Sequence, residues 1–156
     1  MEILQKTKMI SVSEEYETDI ITLFHATGDF TYRSRWQEGV KMVEEVNHFL
    51  PRVGMRCRCV LENGEVIIYT SSYSYHPERI EFSETDELKK SSTHYLLEKT
   101  GDNKTRLTID FYVKKNVATE LIFKLMKKKQ RKTTFQKSLL NLEELAKQIK
   151  LPAQSL

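Results

Sequence analysis

The sequence predicts an α+β fold in which a long C-terminal helix packs against an antiparallel sheet of about seven strands. Two observations lead to this prediction. Glycine is absent after Gly101 and proline is absent from 116 to 150, so no helix-breaking residue interrupts that segment. Between residues 40 and 113, short runs of alternating apolar and polar residues are separated by turn-forming residues. A helix laid against such a sheet favours a cavity between the two.

Length and composition are those of one folded domain spanning residues 1–156. No uncharged apolar run approaches the ~20 residues needed to cross a bilayer. The N-terminus lacks the apolar stretch of a secretory signal, so we expect a cytoplasmic protein. The net charge of +3 is too small to require a nucleic-acid partner.

The first part of the chain predicts a strand followed by two short helices. Residues 2–10 suit an opening strand, and Ser11–Glu14 has the S-x-x-E form of a capping box, which predicts a helix start. Gly28 ends this helix, and a second small helix is expected before Gly39. The apolar stripe of the first helix is Tyr16, Ile20, Leu23 and Phe24.

Six strands are expected next. They cover residues 40–46, 55–61, 65–75, 79–84, 94–99 and 105–113. The alternation is cleanest in 55–61, and Asn63-Gly64 is the strongest hairpin signal of the chain. The charged stretch 85–90 is expected to form a loop.

The last element is a helix from Asn116, which can cap it, to about Lys150, before Pro152. At 1.5 Å per residue it would be about 50 Å long. Lys128 and Lys132 occupy the phase of its apolar stripe, so we expect a bend or break there. The stripe consists of Leu121, Leu125, Phe135, Leu139, Leu142, Ala146 and Ile149.

Several segments resemble the START-like superfamily of polyketide cyclase/dehydrase and lipid-transport proteins (SRPBCC). The similar segments are Arg35–Val40, Val53–Arg56, Glu62–Gly64, Tyr75–Phe82 and Thr105–Thr108, in matching order and spacing. The resemblance implies the helix-grip fold: a strongly curved antiparallel sheet around the C-terminal helix, with two short helices between the first two strands. It implies a hydrophobic pocket but transfers no activity, since members include lipid carriers, hormone receptors, cyclases and co-chaperone modules.

Strand parity and the helical stripe suggest which residues would line such a pocket. The candidates are Trp36, Cys57, Cys59, Tyr69, Tyr73, Phe82, Tyr95, Phe111, Phe135, Leu139 and Leu142. The alternative for each is an ordinary place in a packed core, and Trp36 is equally suited to be a lid or a structural plug. Because cysteines at i and i+2 of a strand point the same way, we expect two buried free thiols and no metal site.

The sequence favours binding over catalysis, and we assign no catalytic residue and no cofactor. The carboxylates of the strands alternate with apolar residues and are expected to face solvent, as is His94. These carboxylates are Glu65, Glu81, Glu84, Glu98 and Asp110. The expected function is binding, transport or sensing of a small hydrophobic or amphipathic molecule. The alternative is a cyclase- or dehydratase-type enzyme with a polar pair, such as two tyrosines, inside the pocket.

A basic cluster marks the start of the long helix, with six cations in nine residues. Its members are Lys124, Lys127, Lys128, Lys129, Arg131 and Lys132. Such a cluster can make peripheral contact with an anionic membrane, or can simply be a solvated helix end. No aromatic residue interleaves the lysines, which argues against single-stranded nucleic acid. A third possible function is therefore an interaction module with a filled core that acts through this helix.

Overall fold

In the computed structural model, residues 5–44, 55–62, 66–86 and 90–149 are described. Their strands are β1 (Lys6–Tyr16), β2 (Val40–Glu44), β3 (Met55–Leu61), β4 (Val66–His76), β5 (Arg79–Asp86), β6 (Ser92–Gly101) and β7 (Lys104–Lys114). Their helices are α1 (Ile20–Gly28), α2 (Arg33–Trp36), α3 (Val117–Met126) and α4 (Lys128–Gln148), with a 3-10 turn over Phe30–Tyr32.

The strands of these ranges form one antiparallel sheet in the order β1-β7-β6-β5-β4-β3-β2. The strands from β2 to β7 each pair with the next strand along the chain, whereas β1 pairs with β7. As a result β1 and β2 lie at opposite edges of the sheet. The segment between them has to cross one face, called here the inner face, and α1 and α2 lie on it.

The inner face carries the main hydrophobic core. Alternate residues of β5, β6 and β7 are buried, as the period of two requires. They join apolar residues of α4 in one cluster, and each such side chain contributes about 1.5–3 kcal/mol by leaving water. Prominent members are Ile80, Phe82, Tyr95, Leu97, Leu107, Ile109, Phe111, Phe135, Leu139 and Leu142.

Hydrogen bonds fix α4 to both ends of this crossing. The buried hydroxyl of Tyr16, the last residue of β1, donates to the backbone carbonyl of Leu139 at 2.8 Å. The backbone N–H of Glu38, just after α2, donates to the hydroxyl of Ser138 at 2.9 Å. The long helix is therefore held by directional contacts as well as by apolar packing.

The predicted capping box at Ser11–Glu14 is wrong. Those residues lie within β1, which pairs with β7 as far as Tyr16, so Tyr16 belongs to the strand and not to the helical stripe. The long pairing supplies more backbone hydrogen bonds than a local cap could. The helix instead begins at Ile20, where the Asp19 carboxylate accepts from the backbone N–H of Thr22 at 2.9 Å.

Strands β2 to β7 agree closely with the prediction, and β3 has the predicted bounds. β1 extends six residues beyond the predicted end of the opening strand. β5 continues through Asp86, so the first part of the expected loop is strand, and β6 begins at Ser92, two residues before the predicted start. Asn63-Gly64 and Pro152 lie outside the described residues.

The C-terminal helix is broken, as expected, and the break falls at Lys127 between α3 and α4. Asn116 caps α3 as predicted. The apolar stripe does not continue across the break: Leu121 and Leu125 are 54% and 76% exposed, and Phe123 is the buried residue of α3. Within the described ranges, the helices are too short or too polar to span a bilayer.

The cap of α1 gives a first prediction. Burial alone would raise the pKa of Asp19, but the hydrogen bonds from Thr22 outweigh it and lower that pKa. We expect Asp19→Ala to reduce the free energy of unfolding at neutral pH by about 1 kcal/mol in urea denaturation. Since the folded pKa is the lower one, this stabilisation exists above the unfolded pKa of about 3.9 and disappears as pH falls through the folded pKa.

Ser11→Ala is the matched control, because Ser11 is exposed in β1 and caps no helix. We expect it to change the free energy of unfolding by less than about 0.5 kcal/mol. Equal losses for the two variants would contradict the observed helix start.

Candidate functional site

The crossing segment places a buried arginine opposite the central strand of the sheet. The side chain of Arg33, the first residue of α2, is 0% exposed, and that of Glu84 in β5 is 1% exposed. Arg33 Nη1 donates to Glu84 Oε2 at 2.8 Å, and Nη2 donates to Oε1. The pair is thus bidentate, the strongest arrangement of a guanidinium and a carboxylate.

Two further acceptors complete the polar contacts of the guanidinium. Nη1 of Arg33 also donates to the Gln37 side-chain oxygen at 3.0 Å, and Nη2 donates to the backbone carbonyl of Thr27 at 3.4 Å. Burial disfavours the charged form, but Glu84 outweighs it and raises the pKa of Arg33 well above its ordinary value. Arg33 therefore stays charged inside the protein.

Aromatic rings surround the charged group. The Arg33 guanidinium carbon lies 4.6 Å from the ring centre of Phe30, 5.2 Å from that of Trp36 and 5.8 Å from that of Tyr95. Rings at these distances attract a cation through their quadrupoles. The site combines a fixed ion pair with an apolar, aromatic lining.

Two buried donors at this site have no hydrogen-bond acceptor in the part of the chain that the structure describes. They are Arg33 Nε and Trp36 Nε1. A buried donor without an acceptor costs about 1–3 kcal/mol, so most interiors satisfy such groups. The two residues are neighbours in the site, since the guanidinium carbon of Arg33 lies 5.2 Å from the ring centre of Trp36.

The expectation that Glu84 faces solvent is wrong. Glu84 shares strand parity with Ile80 and Phe82, which are inward, so the alternation of β5 itself places this carboxylate inside. The charge of a strand residue does not decide which face it occupies, whereas strand register does. Arg33 is a site residue that the sequence does not reveal, since a helix of four residues has no periodicity that would mark its buried face.

Most of the predicted pocket residues lie together in the main core. These are Trp36, Phe82, Tyr95, Phe111, Phe135, Leu139 and Leu142, all no more than 6% exposed. The rings of Phe82 and Tyr95 stack with centres 4.5 Å apart, and Tyr95 meets Trp36 edge-to-face. Trp36 is 1% exposed, which is the burial of an interior plug and not of a surface lid.

Tyr73 and Tyr69 differ from this group. Tyr73 is half-buried at the margin of the main core, where its ring stacks on that of Phe24 with centres 5.6 Å apart. Tyr69 pairs with Cys57 in the sheet register, but its side chain lies outside the described part of the structure.

Cys57 and Cys59 form a second, smaller apolar cluster with Phe30. Both are free thiols with sulfur atoms 4.0 Å apart, and a hydrogen bond with Cys59 together with burial raises the pKa of Cys57. Arg33 contacts Phe30 of this cluster and Trp36 of the main core. The ion pair therefore lies at the junction of the two clusters.

Of the other predicted outward groups, Glu81, Glu98, His94 and Asp110 lie on the outer face, as expected from their parity. His94 pairs with Asp110 across β6 and β7, and its ring packs on Tyr112 with centres 4.8 Å apart. Glu65 lies outside the described residues.

No protein-family model matches the sequence, and no curated protein matches it. Solved structures do match. A START superfamily protein from Mycobacterium smegmatis has a TM-score of 0.68 at 18% identity, covering 92% of this chain and 100% of its own. The KanY protein has a TM-score of 0.70 at 10% identity, covering 92% and 99%.

A third similar structure is DynU16, a protein of the dynemicin biosynthetic locus. Its TM-score is 0.61 at 14% identity, covering 88% of this chain and 46% of DynU16. At these identities the similarity establishes the fold. The chain has the START-like helix-grip fold, which confirms the fold that the resemblance in the sequence implied.

The buried ion pair gives a second prediction. Arg33→Met leaves the Glu84 carboxylate buried without its partner, so we expect a loss of about 3–5 kcal/mol in the free energy of unfolding. The double variant Arg33→Met with Glu84→Leu removes both charges and should cost less than either single change. Urea denaturation of the four proteins, as a double-mutant cycle, measures the coupling.

The exposed pair of Arg79 and Glu81, 3.1 Å apart with side chains 57% and 51% exposed, provides the control. Arg79→Met should cost less than about 1 kcal/mol. If Arg33→Met were as mild as Arg79→Met, the assigned burial of the interior pair would be wrong.

The thiols give a third prediction. The thiolate is the reactive form of cysteine. Both cysteines are buried, and the pKa of Cys57 is raised. We therefore expect Cys57 and Cys59 of the native protein to react with Ellman's reagent on the order of 100-fold more slowly than those of the unfolded protein. Absorbance at neutral to mildly alkaline pH measures the rate, and protein in guanidinium is the control. Rapid labelling of a native thiol would contradict the second cluster.

Proposed function

We propose that this protein binds a small amphipathic molecule in the interior between the sheet and α4, without catalysing its conversion. The observation that carries the proposal is the pair of buried, unpartnered donors, Arg33 Nε and Trp36 Nε1, set among aromatic side chains. A ligand oxygen within hydrogen-bond distance would satisfy a donor that is otherwise left without an acceptor. The START-like fold is consistent with this role, because it hosts ligand-binding proteins.

The surroundings favour an apolar body on that ligand. We propose that it packs against the predicted lining residues, which offer rings and aliphatic chains with few polar atoms. These are Trp36, Cys57, Cys59, Tyr69, Tyr73, Phe82, Tyr95, Phe111, Phe135, Leu139 and Leu142. Among the lining residues whose side chains are described, Tyr73 is half-buried and the others are buried. We therefore propose that the ligand enters beside Tyr73.

The charge balance of the site favours a neutral acceptor. The charge of Arg33 is already matched by the bidentate Glu84 carboxylate. A second buried anion next to that pair would lack a counter-charge and would carry a large desolvation cost. A ketone, ester carbonyl or hydroxyl oxygen accepts the same hydrogen bonds without that cost. We therefore propose a ligand with a neutral oxygen, of the polyketide-, lipid- or aromatic-like kind.

The state of Glu84 supports binding over cyclase or dehydratase chemistry. Such chemistry needs an acid or base that is free to exchange a proton inside the pocket. Both carboxylate oxygens of Glu84 accept hydrogen bonds from the Arg33 guanidinium, so both are already engaged within the protein. This carboxylate is thereby suited to hold the arginine rather than to transfer protons.

The test compares probes that differ in a single group. We expect 2-acetylnaphthalene to bind more tightly than 2-ethylnaphthalene, by about twofold to tenfold, because only the ketone can accept from the two donors. By the charge argument, 2-naphthoate should bind less tightly than the ketone. Isothermal titration calorimetry gives the affinities, and quenching or shift of the emission of Trp36, the sole tryptophan of the chain, reports proximity.

Trp36→Phe keeps an aromatic ring but removes one donor, so calorimetry should show a reduced preference for the ketone. Tyr112→Phe, a change on the outer face, is the matched control and should keep the preference. Absence of binding for all three probes, or equal affinity for ketone and hydrocarbon in the unaltered protein, would refute the proposed anchor.

A further inference from the structure

Most apolar side chains of helix α3 are exposed to solvent. At 3.6 residues per turn, the exposed apolar residues of α3 cover about half of the helix circumference, and the buried Phe123 lies on the other half. A helix that served the core alone would bury its apolar face. The exposed apolar face consists of Val117 (83% exposed), Ala118, Leu121 (54%), Ile122 (53%), Leu125 (76%) and Met126 (75%).

A strong positive charge adjoins this apolar face. Residues 114–132 contain eight Lys or Arg and one acidic residue, Glu120, whereas the net charge of the whole chain is only +3. The remainder of the chain is therefore net negative, and the molecule is electrically polarised toward α3. Five lysines of the basic cluster are exposed and pair with no carboxylate in the described ranges: Lys124, Lys127, Lys128, Lys129 and Lys132.

Arg131 is the exception within the basic cluster. It is half-buried, and its guanidinium carbon lies 4.8 Å from the ring centre of Phe111 in β7. Its contact is therefore with the core, and the five lysines supply the exposed charge.

We propose that α3 docks on the surface of an anionic lipid bilayer. The exposed apolar face would enter the boundary between headgroups and acyl chains, and the lysines would contact lipid phosphates. Helices that lie in the membrane interface combine these two features, an apolar face and flanking basic residues. This inference concerns a surface separate from the interior site and does not depend on the proposed ligand.

Charge and chemistry favour a bilayer over other partners. A second copy of the chain, packed symmetrically through α3, would bring two clusters of lysines together, and like charges oppose that association. A nucleic acid would meet an apolar surface that has no exposed aromatic ring on which bases could stack. An anionic bilayer satisfies the apolar face and the lysines at the same time.

Vesicle flotation of the full chain tests the proposal. We expect binding to vesicles of phosphatidylcholine with phosphatidylglycerol in equal amounts, release at high salt, and little binding to phosphatidylcholine alone. Each lysine near an anionic surface increases affinity about fivefold, so Lys127→Gln with Lys128→Gln and Lys129→Gln should weaken binding roughly 100-fold. Leu121→Gln with Leu125→Gln should weaken it roughly tenfold or more.

Matched controls use exposed residues of α4 that belong neither to the exposed apolar face nor to the basic cluster. Leu140→Gln, at 64% exposure, and Lys137→Gln should leave vesicle binding unchanged. Because all the altered side chains are exposed, circular dichroism and the Tm should match those of the unaltered protein.

Three outcomes would overturn the proposal. The first is no binding to anionic vesicles, or equal binding to neutral ones. The second is unchanged binding by the leucine or lysine variants. The third is a dimer in light scattering that Leu121→Gln with Leu125→Gln dissociates, because a second copy would then cover the face.

Discussion

The separation of β1 and β2 to opposite edges of the sheet constrains the rest of the structure. Two strands that are consecutive in sequence can occupy those places only if residues 17–39 cross a face of the sheet. The crossing fills part of that face with α1 and α2 and leaves the remainder to α4. It also carries Arg33 to the interior above the central strand, β5, where water cannot solvate its charge. The bidentate carboxylate of Glu84 meets that requirement.

An interior ion pair adds little to stability compared with apolar residues, because well-packed apolar residues in the same volume often stabilise a protein as much or more. Here the pair lies between two apolar clusters, and beside it Arg33 Nε and Trp36 Nε1 have no acceptor among the described residues. Both features weaken the core as a purely structural unit. Both agree with the proposed function, in which the interior binds a polar group on an apolar molecule.

The sequence predicts best where local periodicity and long-range packing agree. β3, β7 and α4 follow from alternation or a helical stripe because the face that the pattern marks is the face that packs. The predicted cap at Ser11 failed because pairing with β7, about a hundred residues away, extends β1 through it. The prediction for Glu84 failed because strand register, and not the charge of the residue, determines which face of β5 it occupies. Arg33 gave no signal, since its burial depends on a crossing that only the tertiary fold defines.

The break at Lys127 separates α3, whose apolar residues are mostly exposed, from α4, whose apolar residues are mostly buried. In one straight helix, Leu121 and Leu125 would share a stripe with Lys128, Lys132 and the core residues of α4. Lys128 and Lys132 keep that phase within α4 but are exposed, so the buried stripe of α4 begins only at Phe135. The break gives α3 an orientation of its own, in which Phe123 is buried and Leu121 and Leu125 face solvent. The exposed leucines of α3 and the exposed lysines at the start of α4 therefore follow each other along the chain, which is why the two belong to one surface.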